Sequence, residues 1–152
     1  MEAFKLTSEQ VIRNLYQVAE RQDAKMFASL FTDDGYFQDI ATGIEYRGEE
    51  LSKVVAVYAK SFPDMHRELS DFYVSGDVVV VELFLNGTHL GPLEMPAGVI
   101  PPTGKKIHVP CCDVFHVRDG KVVSFHCYNA ATITLSQLGV LENLAGAIIS
   151  PH

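Results

Sequence analysis

Two aspartates are the first candidates for chemistry, because each stands in an apolar or turn-forming pattern. Asp113 lies in the stretch IHVPCCDVFHVRDGKVVSFHCYN, which the sequence predicts to be two strands joined by a turn. At the two-residue period of a strand, Asp113 shares its face with apolar side chains. These are Val109, Cys111, Phe115 and Val117. A carboxyl group on a buried face is costly unless it is partnered or protonated, so Asp113 either accepts a local hydrogen bond or serves in chemistry.

Asp39 ends a short predicted strand, residues 36–40, directly before a turn at residues 41–43. One interpretation makes Asp39 a turn-capping residue whose side chain accepts a backbone hydrogen bond. The other pairs it with Asp113 in one apolar pocket. The ionised carboxylate would then take a proton from carbon, and the neutral carboxyl would donate a hydrogen bond to the developing enolate oxygen.

Three histidines could assist such a pair. His66 opens a predicted strand, so its side chain faces either the mouth of a cavity or solvent. His89 precedes a long loop and has the same two alternatives. His126 is one residue out of phase with Phe125, which predicts a position on the outer face of the sheet unless a β-bulge turns it inward.

The predicted ligand contacts include an amide and several aromatic rings. Asn129 is in phase with Phe125 and could donate to a ligand carbonyl, or it could mark the end of the strand. Aromatic residues belong more often to a core than to a pocket wall, but in a conical fold some belong to both. The residues predicted to contact a ligand are Asn129, Tyr16, Phe115, Phe125 and His89.

Composition limits the class of protein. A chain of 152 residues with 47% hydrophobic and 20% charged residues predicts one globular domain over residues 1–152. The net charge of −7 argues against nucleic acid or an anionic membrane as a partner. No apolar run reaches the roughly 18 residues that cross a bilayer, and no signal pattern opens the chain. A cytoplasmic location is therefore predicted.

The cysteines are predicted to be structural. Cys111, Cys112 and Cys127 cannot all pair within the chain, and they lie in strand-like segments. We predict that they are reduced, with Cys111 and Cys112 on opposite faces of one strand. No CxxC or HxxxH spacing indicates zinc, and no GxGxxG or P-loop indicates a nucleotide. The sequence thus predicts neither a metal nor a cofactor.

The elements that must position these residues follow from the hydrophobic period along the chain. Helices are predicted over residues 7–22, 24–31, 48–61 and 132–149. Strands are predicted over 36–40, 66–74, 78–88 and in the 107–129 hairpin, and a proline-rich loop over 91–106 is predicted to rim a site. This order predicts an α+β fold, with a curved antiparallel or mixed sheet wrapped by three to four helices around an internal apolar pocket.

Residues 30–62, LFTDDGYFQDIATGIEYRGEELSKVVAVYAKSF, resemble the ketosteroid isomerase branch of the nuclear transport factor 2-like (NTF2-like) superfamily. The resemblance places Asp39 at the position of the general base. Residues 111–125, CCDVFHVRDGKVVSF, are similar to the strand with the protonated oxyanion-hole aspartate, and Asp113 matches that residue. The resemblance therefore implies the same division of roles that the residue types suggest.

Other segments resemble the SnoaL-type polyketide cyclases of the same superfamily. They are GTHLG at 87–91, GVIPPTGKKIHV at 98–109, VFHVRDGKVV at 114–123 and LSQLGVL at 135–141. The combined resemblance covers about residues 8–141. It implies an NTF2-like (cystatin-like) cone, a homodimer through the outer sheet face, and cofactor-free acid–base chemistry on a carbon acid.

The chain departs from both families at known positions. The isomerase's oxyanion-hole tyrosine falls at Leu15 in an ungapped reading, and Tyr16 would point about 100° away on a helix. Cyclases carry a tryptophan and an aspartate before the last helix, and this chain has His126 and Ala130 at those positions. The cyclase's characteristic aspartate is therefore absent at that position.

Three functions remain open from the sequence. The first is a cofactor-free catalyst on a small apolar carbonyl compound, cyclase-like or isomerase-like, with Asp39 as base and Asp113 as hydrogen-bond donor. His66, His126 or Asn129 would assist. The second is an epoxide-opening hydrolase, in which Asp39 activates water and Asp113 protonates the leaving oxygen. The third is a non-catalytic module that binds a small ligand or dimerises.

Overall fold

The structure, a computed structural model, describes residues 5–142. The helices are α1 (Ser8–Glu20), α2 (Ala24–Ser29), α3 (Leu51–Ser61) and α4 (Ala131–Gln137). The strands are β1 (Phe31–Asp39), β2 (Ile44–Arg47), β3 (His66–Ser75), β4 (Val78–Thr88), β5 (Leu93–Met95), β6 (Gly98–Ile100), β7 (Lys106–Arg118) and β8 (Lys121–Asn129). A 3-10 turn, Gly48–Glu50, leads into α3.

The first two helices begin where the sequence predicts. Thr7 and Gln10 form a reciprocal capping box, which satisfies two backbone donors at the start of α1. The Asp23 side chain accepts a hydrogen bond from the Met26 backbone and caps α2 in the same way. Because the apolar positions of α1 recur on one side, the helix buries that side against the sheet.

Six strands form one curved sheet in the order β2-β1-β8-β7-β4-β3. All neighbours are antiparallel except β1 and β8, which run parallel. The parallel pair confirms the predicted mixed sheet. Helices α1 and α3 bury residues such as Ile12, Leu15 and Val55 against the concave face. The fold is therefore the predicted α+β architecture, with the sheet curved and not closed.

The structure corrects three predicted boundaries. The predicted break before residue 36 is a bulge inside β1, where a Cβ on Gly35 would stand 2.8 Å from the Val122 carbonyl oxygen. The predicted loop over 91–106 contains the β5–β6 hairpin. Helix α4 ends at Gln137, because Gly139 adopts a positive φ of 75°, and residues 143–149 of the predicted helix lie outside the described residues. No helix within residues 5–142 has the length and apolar character needed to cross a bilayer.

Candidate active site

The two candidate aspartates lie in one row across the concave face. Asp39 of β1 is in register with Cys127 of β8, and Cys127 is in register with Asp113 of β7. Adjacent strands are about 4.8 Å apart, so the Cα atoms of the two aspartates are about 10 Å apart. The adjacent row is aromatic, with Phe37, Phe125 and Phe115 in register and their neighbouring ring centroids 4.6 and 4.2 Å apart.

Two adjacent cavities lie between this face and the helices, and we call them the outer and the inner chamber. The outer chamber, lined by residues that include Asp39, Asn129 and Glu94, has a volume of about 120 Å³. The inner chamber, lined by residues that include Asp113 and Tyr16, has a volume of about 30 Å³. Since a buried water needs about 10–15 Å³, the inner chamber has room for about two waters or a carbonyl-sized group. Both chambers share four wall residues, which are Phe37, Val54, Tyr58 and Leu85.

Asp113 is buried and hydrogen-bonded through both oxygens. The Tyr16 hydroxyl donates to Oδ2 at 2.6 Å, and the Cys111 thiol donates to Oδ1 at 3.3 Å. Burial raises the pKa of Asp113 from 3.8 to about 6, although the donors Tyr16, Cys111 and Cys127 favour the ionised form. The sequence left open whether Asp113 accepts local hydrogen bonds or serves in chemistry. Both are possible together, because the carboxyl accepts hydrogen bonds from its neighbours and still faces a cavity.

Asp39 also combines its two predicted roles. Its Oδ1 accepts a hydrogen bond from the Ala41 backbone at 3.1 Å, which caps the turn after β1. The same oxygen accepts a hydrogen bond from Asn129 Nδ2 at 3.4 Å, and the carboxyl lines the outer chamber. Burial raises the pKa of Asp39, while hydrogen bonds from Thr42, Ala41 and Asn129 oppose the rise. Asp39 is therefore a partly desolvated carboxyl with access to a ligand.

The structure corrects the position of the tyrosine. Tyr16, not Leu15, reaches Asp113, so the prediction that Tyr16 points away is wrong. Helix α1 buries both neighbouring positions, since Tyr16 is 3% and Leu15 is 1% exposed. Two residues 100° apart can both face the interior when an apolar stripe is about that wide. Burial and then the charge of Asp113 raise the pKa of Tyr16 well above its usual value, so its hydroxyl remains a donor.

The three candidate histidines do not line either chamber. His66 is exposed, and its Nδ1 lies 2.9 Å from Glu20 Oε2, so of its two predicted alternatives the structure shows the one that faces solvent and not the mouth of a cavity. His126 lies on the outer face of the sheet, as its phase predicts, with Nε2 2.8 Å from the Tyr36 hydroxyl. The bulge that could have turned it inward lies elsewhere, between His116 and Val117.

His89 supports the rim of the cavity from behind. It is fully buried, and its Nδ1 accepts a hydrogen bond from the Thr103 backbone at 3.1 Å. Its backbone exchanges hydrogen bonds with Lys105 and Gly104, which ties the two ends of the β5–β6 segment together. Burial lowers the pKa of His89, so the ring is neutral. The predicted ligand contact is therefore replaced by a positioning role for the segment that carries Glu94.

Of the remaining predicted contacts, Asn129 lines the outer chamber and Phe125 the inner one. Phe115 lies behind them, fully buried, with its ring centroid 5.8 Å from that of Tyr16. Phe115 thus belongs to the core layer that supports the cavity wall.

Tyr58 is the functional candidate that the sequence missed. It lines both chambers, at their junction. Burial raises the pKa of Tyr58 well above its usual value, and the nearby carboxylates of Asp39 and Asp113 raise it further. The hydroxyl therefore stays protonated as a donor. Its helical spacing matches that of ordinary core residues, so only its position beside the cavity distinguishes it.

The ligand atoms of Cys111, Asp113 and Cys127 lie within 4.8 Å of one another, close enough to surround a metal ion. Both oxygens of Asp113 already accept hydrogen bonds, however. The contact with Cys127 and burial raise the pKa of the Cys111 thiol, and burial raises that of Cys127 overall. In this structure the three side chains contact one another and form a buried hydrogen-bonded cluster.

Comparison with known proteins supports this description of the fold. Residues 12–125 match the family model described as a SnoaL-like domain. No curated protein matches the chain.

Solved structures share the fold over most of the chain. A candidate SnoaL-like polyketide cyclase from Jannaschia sp. CCS1 is 19% identical, with a TM-score of 0.76, covering 91% of this chain and 96% of its own. IdmH from Streptomyces antibioticus, a candidate polyketide cyclase, is 25% identical, with a TM-score of 0.74, covering 89% of this chain and 100% of its own. A hypothetical protein from Catenulispora acidiphila DSM 44928 with a ketosteroid isomerase-like fold, in complex with trimethylamine, is 21% identical, with a TM-score of 0.73, covering 86% of this chain and 93% of its own.

Proposed function

Because the chain belongs to the SnoaL-like domain family, we propose that it enolises a small apolar carbonyl compound by cofactor-free acid–base catalysis, as a polyketide cyclase or a ketosteroid isomerase does. One observation carries the proposal. Asp39 and Asp113 lie in the same row of the sheet, and each lines one of two adjacent chambers that share part of their wall. A substrate that spans both chambers would meet a base at one end and hydrogen-bond donors at the other.

The proposed step moves one proton and one electron pair. An oxygen of Asp39 takes a proton from the carbon next to the substrate carbonyl, and the C–H electrons become the enolate double bond. The negative charge that develops on the carbonyl oxygen is stabilised by donors in the inner chamber, which are Tyr58 and protonated Asp113. The enolate then either takes the proton back at another carbon, as in an isomerisation, or attacks a second carbonyl, as in a ring closure.

The pKa of Asp113 suits the donor role at the moment of reaction. With a pKa of about 6, Asp113 is mainly ionised at neutral pH but can be protonated at low cost. A carboxyl whose proton affinity lies near the working pH can donate to an oxyanion and release the proton again. The residue pattern suggests that Asp113 is a neutral acid. Its carboxyl is instead mainly ionised at neutral pH, because hydrogen bonds from Tyr16 and Cys111 stabilise the anion.

The lining of the outer chamber disfavours an anionic ligand. Its charged wall residues within residues 5–142 are Asp39 and Glu94, with no lysine, arginine or histidine among them. Residues 1–4 and 143–152 contain no lysine or arginine either. A carboxylate or phosphate would therefore enter this chamber without a counter-charge, which is costly away from water. Ketones and esters fit the proposed reaction better.

Phenols test the proposed oxyanion site, because a bound phenol resembles an enol. We expect affinity for apolar phenols to increase with their acidity, since the more acidic phenol shares its proton more readily with Asp113. Asp113→Asn cannot take up that proton, and we expect it to weaken the most acidic phenol by about 10- to 100-fold. Isothermal titration of wild type and variant measures both effects.

The matched control for the phenol series is Asp33→Asn, since Asp33 is exposed on the same strand as Asp39. It should bind every phenol like the wild type. Weak binding that is indifferent to acidity and to Asp113→Asn would contradict the proposed oxyanion site and favour a non-catalytic binding module.

We also propose that the protein forms a homodimer through the outer sheet face. Tyr73 and Tyr128 are 52% and 47% exposed there, which is unusual for large side chains on a sheet. Sedimentation should give twice the chain mass of 16.8 kDa. Tyr128→Lys should shift the mass toward one chain, because a buried charge opposes a self-complementary interface. A wild-type mass of one chain would rule the dimer out.

A further inference from the structure

We propose that Cys111 and Cys127 are positioning residues, whose thiols join the two carboxyls into one hydrogen-bonded chain and set the proton affinity of Asp113. The catalytic meaning of this inference rests on the proposed function, but its test does not require turnover. The sequence pattern assigned these cysteines to the core. Their contacts place them between the two groups that the chemistry would use.

The first half of the chain runs from Asp39 to Cys127. Asn129 Nδ2 lies 3.4 Å from Asp39 Oδ1 and 3.8 Å from Cys127 Sγ, so one amide donor group bridges the two residues. Strand register explains the contact, because Asp39 and Cys127 are paired and Asn129 follows Cys127 on the same face. The amide thereby orients the Asp39 carboxylate toward the outer chamber.

The second half runs from Cys127 to Tyr16. Cys127 Sγ lies 3.7 Å from Cys111 Sγ, Cys111 donates to Asp113 Oδ1, and Tyr16 donates to Asp113 Oδ2. Cys127 is paired with Asp113 across the strands, and Cys111 precedes Asp113 by two residues, so all three side chains share the inner face. The chain therefore crosses the cavity wall without a gap.

A thiol is the right strength of donor for this position. A carboxylate that accepts two or three strong hydrogen bonds can have a pKa far below its usual value, which would leave Asp113 ionised and unable to donate. The S–H group is a weak donor, and here it remains protonated because its own pKa is raised. It thus stabilises the Asp113 anion only slightly and leaves the carboxyl able to exchange a proton.

The other groups that face Asp113 are the same in every cysteine variant. They are Tyr16 from α1, Tyr58 from α3, Arg67 from β3 and Asp39 from β1 across the cavity. Arg67 is the only cation in the described lining of the inner chamber, and its Nη1 lies 3.5 Å from Glu20. A change in the pKa of Asp113 between cysteine variants therefore reports the effect of the thiols on that carboxyl.

The test is a titration of Asp113 by carbon-13 NMR, in full-length protein labelled at the aspartate side-chain carboxyls, with the signal assigned by Asp113→Asn. Cys111→Ala removes a donor to the anion and should raise the pKa of Asp113 by about 0.5 to 1. Cys111→Ser supplies a stronger donor and should lower it by a similar amount. Opposite shifts from two small replacements are not expected of a residue that only fills space.

Cys112→Ser is the matched control, because Cys112 lies between Cys111 and Asp113 in the sequence but is on the other face of β7. It should leave the Asp113 pKa unchanged. Cys127→Ser is the second variant, which should lower the pKa of Asp113 less than Cys111→Ser does, because Cys111 is the stronger of the two thiol donors to Asp113 and lies 3.3 Å from its Oδ1. If Cys111→Ala does not fold, Cys127→Ser still tests the effect of the thiols on the pKa of Asp113.

Two results would overturn the inference. One is an Asp113 pKa that moves in the same direction in Cys111→Ala and Cys111→Ser. The other is a shift no larger than that of Cys112→Ser. The proposed function can fail separately. If the two cysteine variants shift the pKa of Asp113 in opposite directions, the positioning role is supported. If the same protein shows no dependence of phenol affinity on phenol acidity and no exchange of ligand protons, the proposed catalysis is rejected.

Discussion

Asp39→Asn is expected to slow the exchange of carbon-bound protons in a bound ketone by about 10²–10⁴-fold, the usual contribution of a general base. The asparagine keeps the size of the side chain and its contact with the Ala41 backbone through Oδ1. It cannot accept a proton from carbon. The measurement is the loss of the α-proton NMR signal of candidate ketones in deuterated solvent, with wild type and variant at equal concentrations.

Asp33→Asn again provides the control and should exchange protons at the wild-type rate, because Asp33 is exposed away from both chambers. Ketone affinity should survive Asp39→Asn, since most of the cavity wall is apolar. Exchange that continues at the wild-type rate in Asp39→Asn would reject Asp39 as the base. An absence of exchange with every ketone, together with labelled oxygen from water in an epoxide-derived diol, would favour the hydrolase.

Asp113→Asn is expected to stabilise the protein at neutral and alkaline pH. The pKa of Asp113 rises from 3.8 to about 6 on folding, which corresponds to about 3 kcal/mol. The folded state binds this proton more tightly than the unfolded state. The contribution to stability is therefore fully present below about pH 4 and is lost as the pH rises to about 6.

Asparagine has no such titration, so the wild type should lose up to about 3 kcal/mol relative to Asp113→Asn between about pH 4 and pH 8. Urea unfolding of both proteins at several pH values measures this difference. Asp71→Asn, exposed on β3, is the control and should follow the wild type. A constant difference between wild type and Asp113→Asn across this range would mean that Asp113 is not strained by burial in the folded state.

Such a gain in stability would show that burial of the ionised Asp113 carboxyl destabilises the folded protein. The cost of leaving Tyr16 or Cys111 with one acceptor fewer in Asp113→Asn reduces this gain equally at every pH. Asp39→Asn tests the reaction, and Asp113→Asn measures how much the buried Asp113 carboxyl lowers the free energy of unfolding.

Local patterns in the sequence determined most of the helices and strands and the faces of Asp113 and His126. The two-residue period around Asp113 predicts its burial correctly, since a strand alternates its side chains whatever it pairs with. The phase of His126 likewise predicts the outer face. The capping residues Thr7 and Asp23 predict the starts of two helices, because a cap acts within a few residues.

Tertiary structure alone decided which residues meet. The pairing of Asp39 with Cys127 joins strands that are 88 residues apart in the chain, and no local period encodes that parallel register. The contact between Tyr16 and Asp113 depends on where α1 crosses the sheet, and the place of Tyr58 depends on how α3 covers the cavity. His66 has a site-like position in the sequence, yet it pairs with Glu20 at the surface. Residue types and periods depend on neighbours along the chain, whereas the site depends on long-range packing between elements that the sequence separates.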